Sequence, residues 1–359
     1  MTQDNLEFER VWLDLKRNID CYFSRMLDYP FCPPEHVYFS LTNRCNLRCK
    51  MCSIPNTPSR SEDELSTEEC KALIVQIAHL NIGHLIFSGG EPLLRDDIYD
   101  LIRYAVDRKI KMVDIITNGI SIDSNVAKKL IASGLNHITV SIDGLNETGD
   151  FIRGKGVTKK SVEAIDILNE CKQEKFFPTV GINFTIMDCN ISQILPMISL
   201  AREKKCNIIV LQPMMADNTN MRDRKKNELW VKEENIPKLE DIIGEVLRLK
   251  KTYQNFSIHV NDKILELIPS YFAGRPLGNK LKCYEGIARI VITCSGDLWS
   301  CRGSYGNVRK QSLYSCWYSD EAKKIRQLVK LCKDHCLQSC VLLFDLYDIY
   351  LSIERFYAA

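Results

Sequence analysis

Charge of either sign is scarce as a surplus: 48 Lys and Arg stand against 46 Asp and Glu, a net charge of +2. That balance supplies neither a field that draws nucleic acid nor an acid-rich solvating tail. The first residues, MTQDNLEFER, lack a basic stretch followed by an apolar core, so no signal peptide is expected. No uninterrupted apolar run approaches the roughly 20 residues that span a bilayer. There is no low-complexity stretch either. The expectation is a cytosolic protein of ordinary soluble composition, with no nucleic-acid and no membrane partner. Its 359 residues suffice for one large domain and a smaller one.

What is abundant is cysteine, 16 in all. A disulfide scaffold needs an oxidising compartment and usually a small chain, and neither fits. Clustered cysteines in a reducing cytosol point instead to metal or catalysis. Three lie in RCNLRCKMC (Cys45, Cys49, Cys52), and seven fall between Cys283 and Cys340. The other six, Cys21, Cys32, Cys70, Cys171, Cys189 and Cys206, are scattered and read as small buried hydrophobes.

From residue 36 short apolar runs alternate with helical patterns. Strands are expected at 37–42, 84–88, 111–117, 137–142, 179–186 and 207–212, each rich in Val, Ile or Phe. The intervening segments carry helical periodicity, and Ser66 followed by Glu69 marks a capping box before KALIVQIAHL. Six such units with right-handed crossovers predict an α/β fold, a partial (β/α)6 TIM-like barrel, with its chemistry at the C-terminal ends of the strands. Four motifs fall on that rim: the cysteine loop, SGGEP (88–92), TNG (117–119) and SIDG (141–144). Residues 5–27 present Phe8, Val11, Trp12, Leu15, Ile19, Phe23 and Met26 as a helical stripe expected to pack on the barrel.

Three thiolates leave one iron of a four-iron cube without a protein ligand, and an open position is what distinguishes a catalytic metal site from a structural one. The C-x3-C-x2-C spacing after a strand, followed by GGEP on the next, resembles the radical S-adenosylmethionine (radical SAM) superfamily over residues 36–215. The resemblance implies a [4Fe–4S] cluster on Cys45, Cys49 and Cys52, with SAM chelating the open iron. It also implies electron transfer to the sulfonium and a 5′-deoxyadenosyl radical that abstracts a substrate hydrogen. Gly89 and Gly90 would let backbone approach the methionine moiety, and Glu91 would accept from its ammonium. Asn118, Ser141 and Asp143 suit ribose hydroxyls, and Arg153 the SAM carboxylate. Where the family usually places an aromatic before the last cluster cysteine, this chain has Met51, whose backbone would read the adenine. A zinc loop completed from a distance is the rival reading, and it leaves GGEP unexplained.

The second cysteine field, CYEGIARIVITCSGDLWSC and then CKDHCLQSC, resembles a SPASM/twitch extension over residues 281–340. The run Cys332, Cys336, Cys340 is shorter than that family's pattern. One auxiliary [4Fe–4S] cluster is therefore expected, on Cys283, Cys301 and two of Cys332, Cys336 and Cys340, with zinc as rival. Cys294 and Cys316 read as packing residues. The organisation expected is a helical extension (1–35), the barrel (36–215), and a polar loop and helical connection (216–280). A small cysteine-rich α+β domain (281–340) and an amphipathic C-terminal helix (341–359) complete it.

These features predict a radical SAM oxidoreductase-type enzyme served by a reductant such as flavodoxin or ferredoxin. Its substrate is expected to be a small molecule, because the residues ahead of the first strand are too few for a leader-binding domain. A ribosomal-peptide maturase is the alternative within the family, and a non-catalytic iron–sulfur electron carrier the alternative outside it.

Overall fold

The computed structural model describes residues 3–56, 61–172, 178–215, 224, 226–277, 281–333, 336–337 and 341–342. The expected role of Cys340, most of the polar stretch 216–228 and residues 343–359 of the expected C-terminal helix fall outside these residues, while its first two, Val341 and Leu342, form a strand.

Seven parallel strands follow one another in sheet order: β1 (His36–Thr42), β2 (His84–Gly89), β3 (Met112–Thr117), β4 (His137–Ser141), β5 (Thr179–Ile186), β6 (Ile208–Pro213) and β7 (Ser257–Ile258). Between them run the helices α2 (Thr67–His79), α3 (Ile98–Asp107), α4 (Ser124–Ala132), α5 (Asn146–Arg153), α6 (Val157–Cys171), α7 (Ile194–Glu203) and α8 (Ile236–Thr252). On β1, Val37, Phe39 and Leu41 are buried at the two-residue period of a strand, whereas Tyr38 and Ser40 on the other face are only partly covered. The helices bury matching stripes such as Leu73, Ile74 and Ile77 on α2. This is the partial barrel expected from the sequence, with β7 added as a short seventh strand.

Both halves of the capping box on α2 are formed: Glu69 N donates to Ser66 Oγ at 3.2 Å and Ser66 N donates to Glu69 Oε2 at 2.8 Å. Arg309, far along the chain, donates to the Glu69 carboxylate at 2.8 Å and to the carbonyl of Glu64 at 2.7 Å.

After α9 (Asp262–Phe272) and β8 (Lys282–Cys283), the chain returns to the barrel. Strand β9 (Arg289–Ile292) pairs in parallel with β1, His36 opposite Arg289 and Phe39 opposite Ile292. Antiparallel β10 (Asp297–Ser300) and β11 (Gly303–Asn307) extend the same sheet. The sheet is therefore continuous across residue 281. The helical stretch after it is two helices, α10 (Leu313–Trp317) and α11 (Asp320–Lys330), and β12 (Val341–Leu342) pairs with β8.

The N-terminal helix α1 (Gln3–Leu27) forms, and its apolar stripe is covered only in part, with Leu15 buried. Trp12, Phe23 and Met26 are exposed, while Cys21 and Ser24 are buried. Ser24 tolerates burial because its hydroxyl donates to the Asp20 carbonyl at 2.6 Å and accepts from Phe31 N at 2.9 Å. Cys21 packs with Tyr284, Ile287 and Ala288, which belong to the turn between β8 and β9.

Candidate active site

The cysteine loop leaves β1 at a bulge between Ser40 and Thr42, where the chain turns across the end of the sheet. Three tethers fix it. Arg44 N donates to Thr42 Oγ1 at 3.0 Å, Asn118 Nδ2 donates to Asn46 Oδ1 at 2.7 Å, and Lys50 N donates to the Ile152 carbonyl at 2.9 Å. Cys45, Cys49 and Cys52 are half-buried. Burial raises the pKa of all three thiols, that of Cys49 to about 11.

The two glycines of SGGEP serve this loop directly. Gly90 N donates to the Thr42 carbonyl at 2.7 Å and Glu91 N to the Arg44 carbonyl at 2.9 Å. A Cβ on Gly89 would lie 2.4 Å from Thr42 O, and one on Gly90 would lie 2.2 Å from Arg44 O. Gly89 also has φ of +125°, outside the range comfortable for other residues. In this structure glycine is required by a close approach to the backbone of Thr42 and Arg44, where the cysteine loop begins.

Glu91 is 1% exposed and already engaged. Its Oε1 accepts from Thr117 Oγ1 at 2.7 Å and Leu93 N at 3.1 Å, and its Oε2 accepts from Asn118 N at 2.8 Å. Burial raises its pKa, while these donors pull the other way. The carboxylate ties the end of β2 to the end of β3. Asn118 is equally occupied, its Oδ1 accepting from Ile120 N at 2.9 Å.

Arg153, the last residue of α5, donates from Nε to Asp143 Oδ2 at 2.6 Å, and both side chains are buried. Asp143 Oδ1 accepts from Thr185 N at 2.7 Å. Both oxygens of Asp143 therefore support neighbouring residues. Burial opposes the Arg153 charge, but Asp143 and then Cys49 and Cys52 outweigh it and raise its pKa. Arg153 is thus the cation between a buried carboxylate and the thiol loop. Ser141 ends β4 opposite Asn183 of β5, and among the described residues the buried Asn183 Oδ1 has no hydrogen-bond partner. Sequence reading missed Asn183 and Asn46. An Asn inside a Val- and Ile-rich strand was the available signal for the first, and its place within RCNLRC for the second. Met51 packs partly buried against the core.

The second thiol field is drawn from three places in the chain. Cys283 lies on β8, Cys301 in the turn between β10 and β11, and Cys332 and Cys336 beyond α11. Cys301 is exposed as a residue, yet loss of hydration around its sulfur pushes the thiol up to about 12. Glu285, Cys283 and Cys336 add to that rise and Arg302 opposes it. Arg302 also donates to Cys332 Sγ. Cys294 and Cys316 are buried, the latter against Gly306, where a Cβ would lie 2.6 Å from its Sγ. Among the described residues no three His, Cys, Asp or Glu side chains gather closely enough to hold a single metal ion. A four-iron cube makes a different demand, thiolates spread around its corners.

Comparison with known proteins places these features in a family. The model of the radical SAM superfamily matches residues 39–224, just over half of the chain. An Fe-coproporphyrin III synthase of Methanosarcina barkeri is 40% identical over 170 residues, 47% of this chain and 41% of the relative. A PqqA peptide cyclase of Rhizobium meliloti is 28% identical over 302 residues, 81% of this chain and 75% of the relative. The chain spans 41, 48 and 42% of the length of the first three curated relatives it matches. Streptococcus suis SuiB bound to S-adenosylmethionine shares the fold at 17% identity and a TM-score of 0.67, over 84% of this chain and 73% of SuiB.

Proposed function

Since this chain belongs to the radical SAM superfamily, whose members are enzymes using a [4Fe–4S] cluster and SAM, we propose that it modifies a peptide substrate by hydrogen abstraction. Cys45, Cys49 and Cys52 are the cluster ligands in this reading, and Cys283, Cys301, Cys332 and Cys336 hold one auxiliary iron–sulfur cluster.

The observation that carries the reading is the joint between the Gly89–Gly90 backbone and the cysteine loop. It holds a three-thiol loop rigidly at the C-terminal rim of the barrel, where the residues fit the cofactor pair. The thiol set is soft and stops at three, Arg153 supplies a buried cation beside it, and Asn183 Oδ1 is a buried acceptor awaiting a donor. When bound, the cluster and SAM supply a 5′-deoxyadenosyl radical.

The chain's own residues do the rest. Arg153, oriented by Asp143, would pair with the SAM carboxylate. Ser141 and Asn183 would offer hydrogen bonds to the ribose, and the Met51 backbone would serve the adenine. Glu91 holds Thr117 and Asn118 in place, and Asn118 in turn positions Asn46. A flavodoxin- or ferredoxin-type protein supplies electrons.

A peptide substrate replaces the small molecule expected from the sequence because the alignment with the PqqA peptide cyclase extends well beyond the barrel. The barrel's likeness to an Fe-coproporphyrin III synthase favours a second reading, a tetrapyrrole. The test uses anaerobically reconstituted protein with dithionite and SAM. Formation of 5′-deoxyadenosine, lost in Cys49→Ala and increased by short peptides, supports the proposal. Stimulation by iron coproporphyrin alone moves the substrate to tetrapyrroles. Absence of deoxyadenosine with cluster bound overturns the reading.

A further inference from the structure

Two cysteines outside both thiol fields face each other. Cys21 lies on α1 and Cys32 on the segment between α1 and β1, and their Sγ atoms stand 3.9 Å apart. Cys21 is 1% exposed and packs under Tyr284, Ile287 and Ala288, whereas Cys32 is only partly buried against the same group. Cys32 is the more exposed of the two residues and Cys21 the deeper.

The surrounding bonds hold this arrangement. Tyr29 N donates to the Ser24 carbonyl at 3.1 Å and Phe31 N to Ser24 Oγ at 2.9 Å, folding residues 29–32 back along the last turns of α1. Beyond them, Glu35 N donates to the Ala288 carbonyl at 2.8 Å, and Arg17 of α1 pairs with the Glu35 carboxylate.

The chemistry of the two sulfurs is unequal. The sulfur–sulfur contact with Cys21 lowers the pKa of Cys32 most, with a further contribution from Arg17 and with burial opposing. Cys21 is pushed upward by the same contact and by burial. The thiolate is the attacking form of a cysteine, and thiols that respond to oxidants are accessible, acidic and placed beside a resolving partner.

We infer that Cys21 and Cys32 form a thiol–disulfide modification site, in which Cys32 attacks small disulfides of the glutathione class and Cys21 resolves the adduct. The Cys32 thiolate attacks one sulfur of oxidised glutathione, the glutathione disulfide breaks, and one glutathione thiolate leaves. The Cys21 sulfur, giving up its proton, then attacks the Cys32 sulfur and releases the second glutathione. The cysteine pair loses two electrons, the glutathione disulfide gains them, and the two cysteine protons end on the two glutathione thiols. A bonded pair sits about 2.05 Å apart, so the sulfurs close by roughly 2 Å.

The bond would staple α1 to the segment entering β1, and α1 reaches the second thiol field. One turn beyond Cys21, Arg25 donates from Nε to the Cys283 carbonyl at 3.1 Å, and Tyr284 on the Cys21 side follows Cys283 directly. Oxidation of the couple therefore stiffens the support of that field without using any of its thiols.

The test treats the full cluster-loaded chain under nitrogen with oxidised glutathione, alkylates the remaining free thiols and maps peptides by mass spectrometry. The expected result is a peptide linked through Cys21 and Cys32. Glutathione should accumulate on Cys32 in Cys21→Ser, and Cys21 should react about tenfold more slowly in Cys32→Ser than Cys32 does in the intact protein. Alkylation of both cysteines in the unmodified chain after that treatment overturns the inference, as does linkage of either to a different cysteine.

Discussion

Arg153 and Asp143 form a buried ion pair, Nε to Oδ2 at 2.6 Å, that spans from the end of α5 to the end of β4 beside the thiol loop. Removing one partner leaves an uncompensated charge in a dry site, which costs about 3–5 kcal/mol. Asp143→Ala is expected to lose that much stability in urea unfolding. Arg153→Gln should in addition weaken SAM binding, read by equilibrium dialysis on the cluster-loaded protein. Unchanged SAM affinity in Arg153→Gln would remove the residue from the binding role.

Gly90 and Gly244 make a matched pair of opposite outcomes. A methyl group at Gly90 would collide with Arg44 O, so Gly90→Ala should displace the cysteine loop and lower iron retained after reconstitution by at least about half, at a cost above about 2 kcal/mol. Gly244, exposed on α8, has nothing within 4 Å of such a methyl group. Gly244→Ala should raise stability by about 0.5–1 kcal/mol and leave iron unchanged.

Acid should destabilise the fold from the rim opposite the thiol loop. His36 at the start of β1, edge-on to His84 of β2 at 6.1 Å, is held by burial and its cationic neighbours at a pKa of about 4, below the ordinary 6.5. Burial also lowers His137 and His259. Above pH 6.5 these rings are neutral folded or unfolded. Below it the unfolded chain takes up protons that the folded one resists, so stability falls as pH drops from 6.5 toward 4. For His36 alone the loss is roughly 2–3 kcal/mol. Urea midpoints measured across that window should flatten in His36→Gln, and an identical slope would refute the assignment.

Cys301→Ala should separate the two thiol fields. Iron is expected to fall from about eight to about four per chain while 5′-deoxyadenosine formation from SAM continues. Cys49→Ala should show the same iron loss with no deoxyadenosine. Equal behaviour of the two variants would contradict a division of roles between the fields.

Much of this was legible locally. The strands announce themselves as Val- and Ile-rich runs, the cap of α2 as Ser66 and Glu69, and the metal loop as three cysteines with nothing after them. What escaped depends on residues distant in sequence. Gly90 needs to be glycine because of Arg44, and Glu91 is filled by Thr117 and Asn118. Asp143 turns inward to Arg153 and Thr185 N. Nothing in ARIVIT says that it will lie against β1, and Ser24 looks polar until Phe31 and Asp20 satisfy its hydroxyl. The second thiol field was readable as a field, but its pairing with Glu285 and Arg302 was not.

The parallel register of β9 on β1 has a further consequence. Because β10 runs back antiparallel, Cys301 emerges near the level of Arg289 and His36, at the opposite end of β1 from Cys45. A seven-residue strand rises about 20 Å. An electron exchanged between the two thiol fields would therefore have to tunnel roughly the length of β1, through a hydrogen-bonded sheet whose spacing no domain motion can shorten. The rate of such a transfer would be an engineering constant of the fold, fixed when β9 takes its place beside β1.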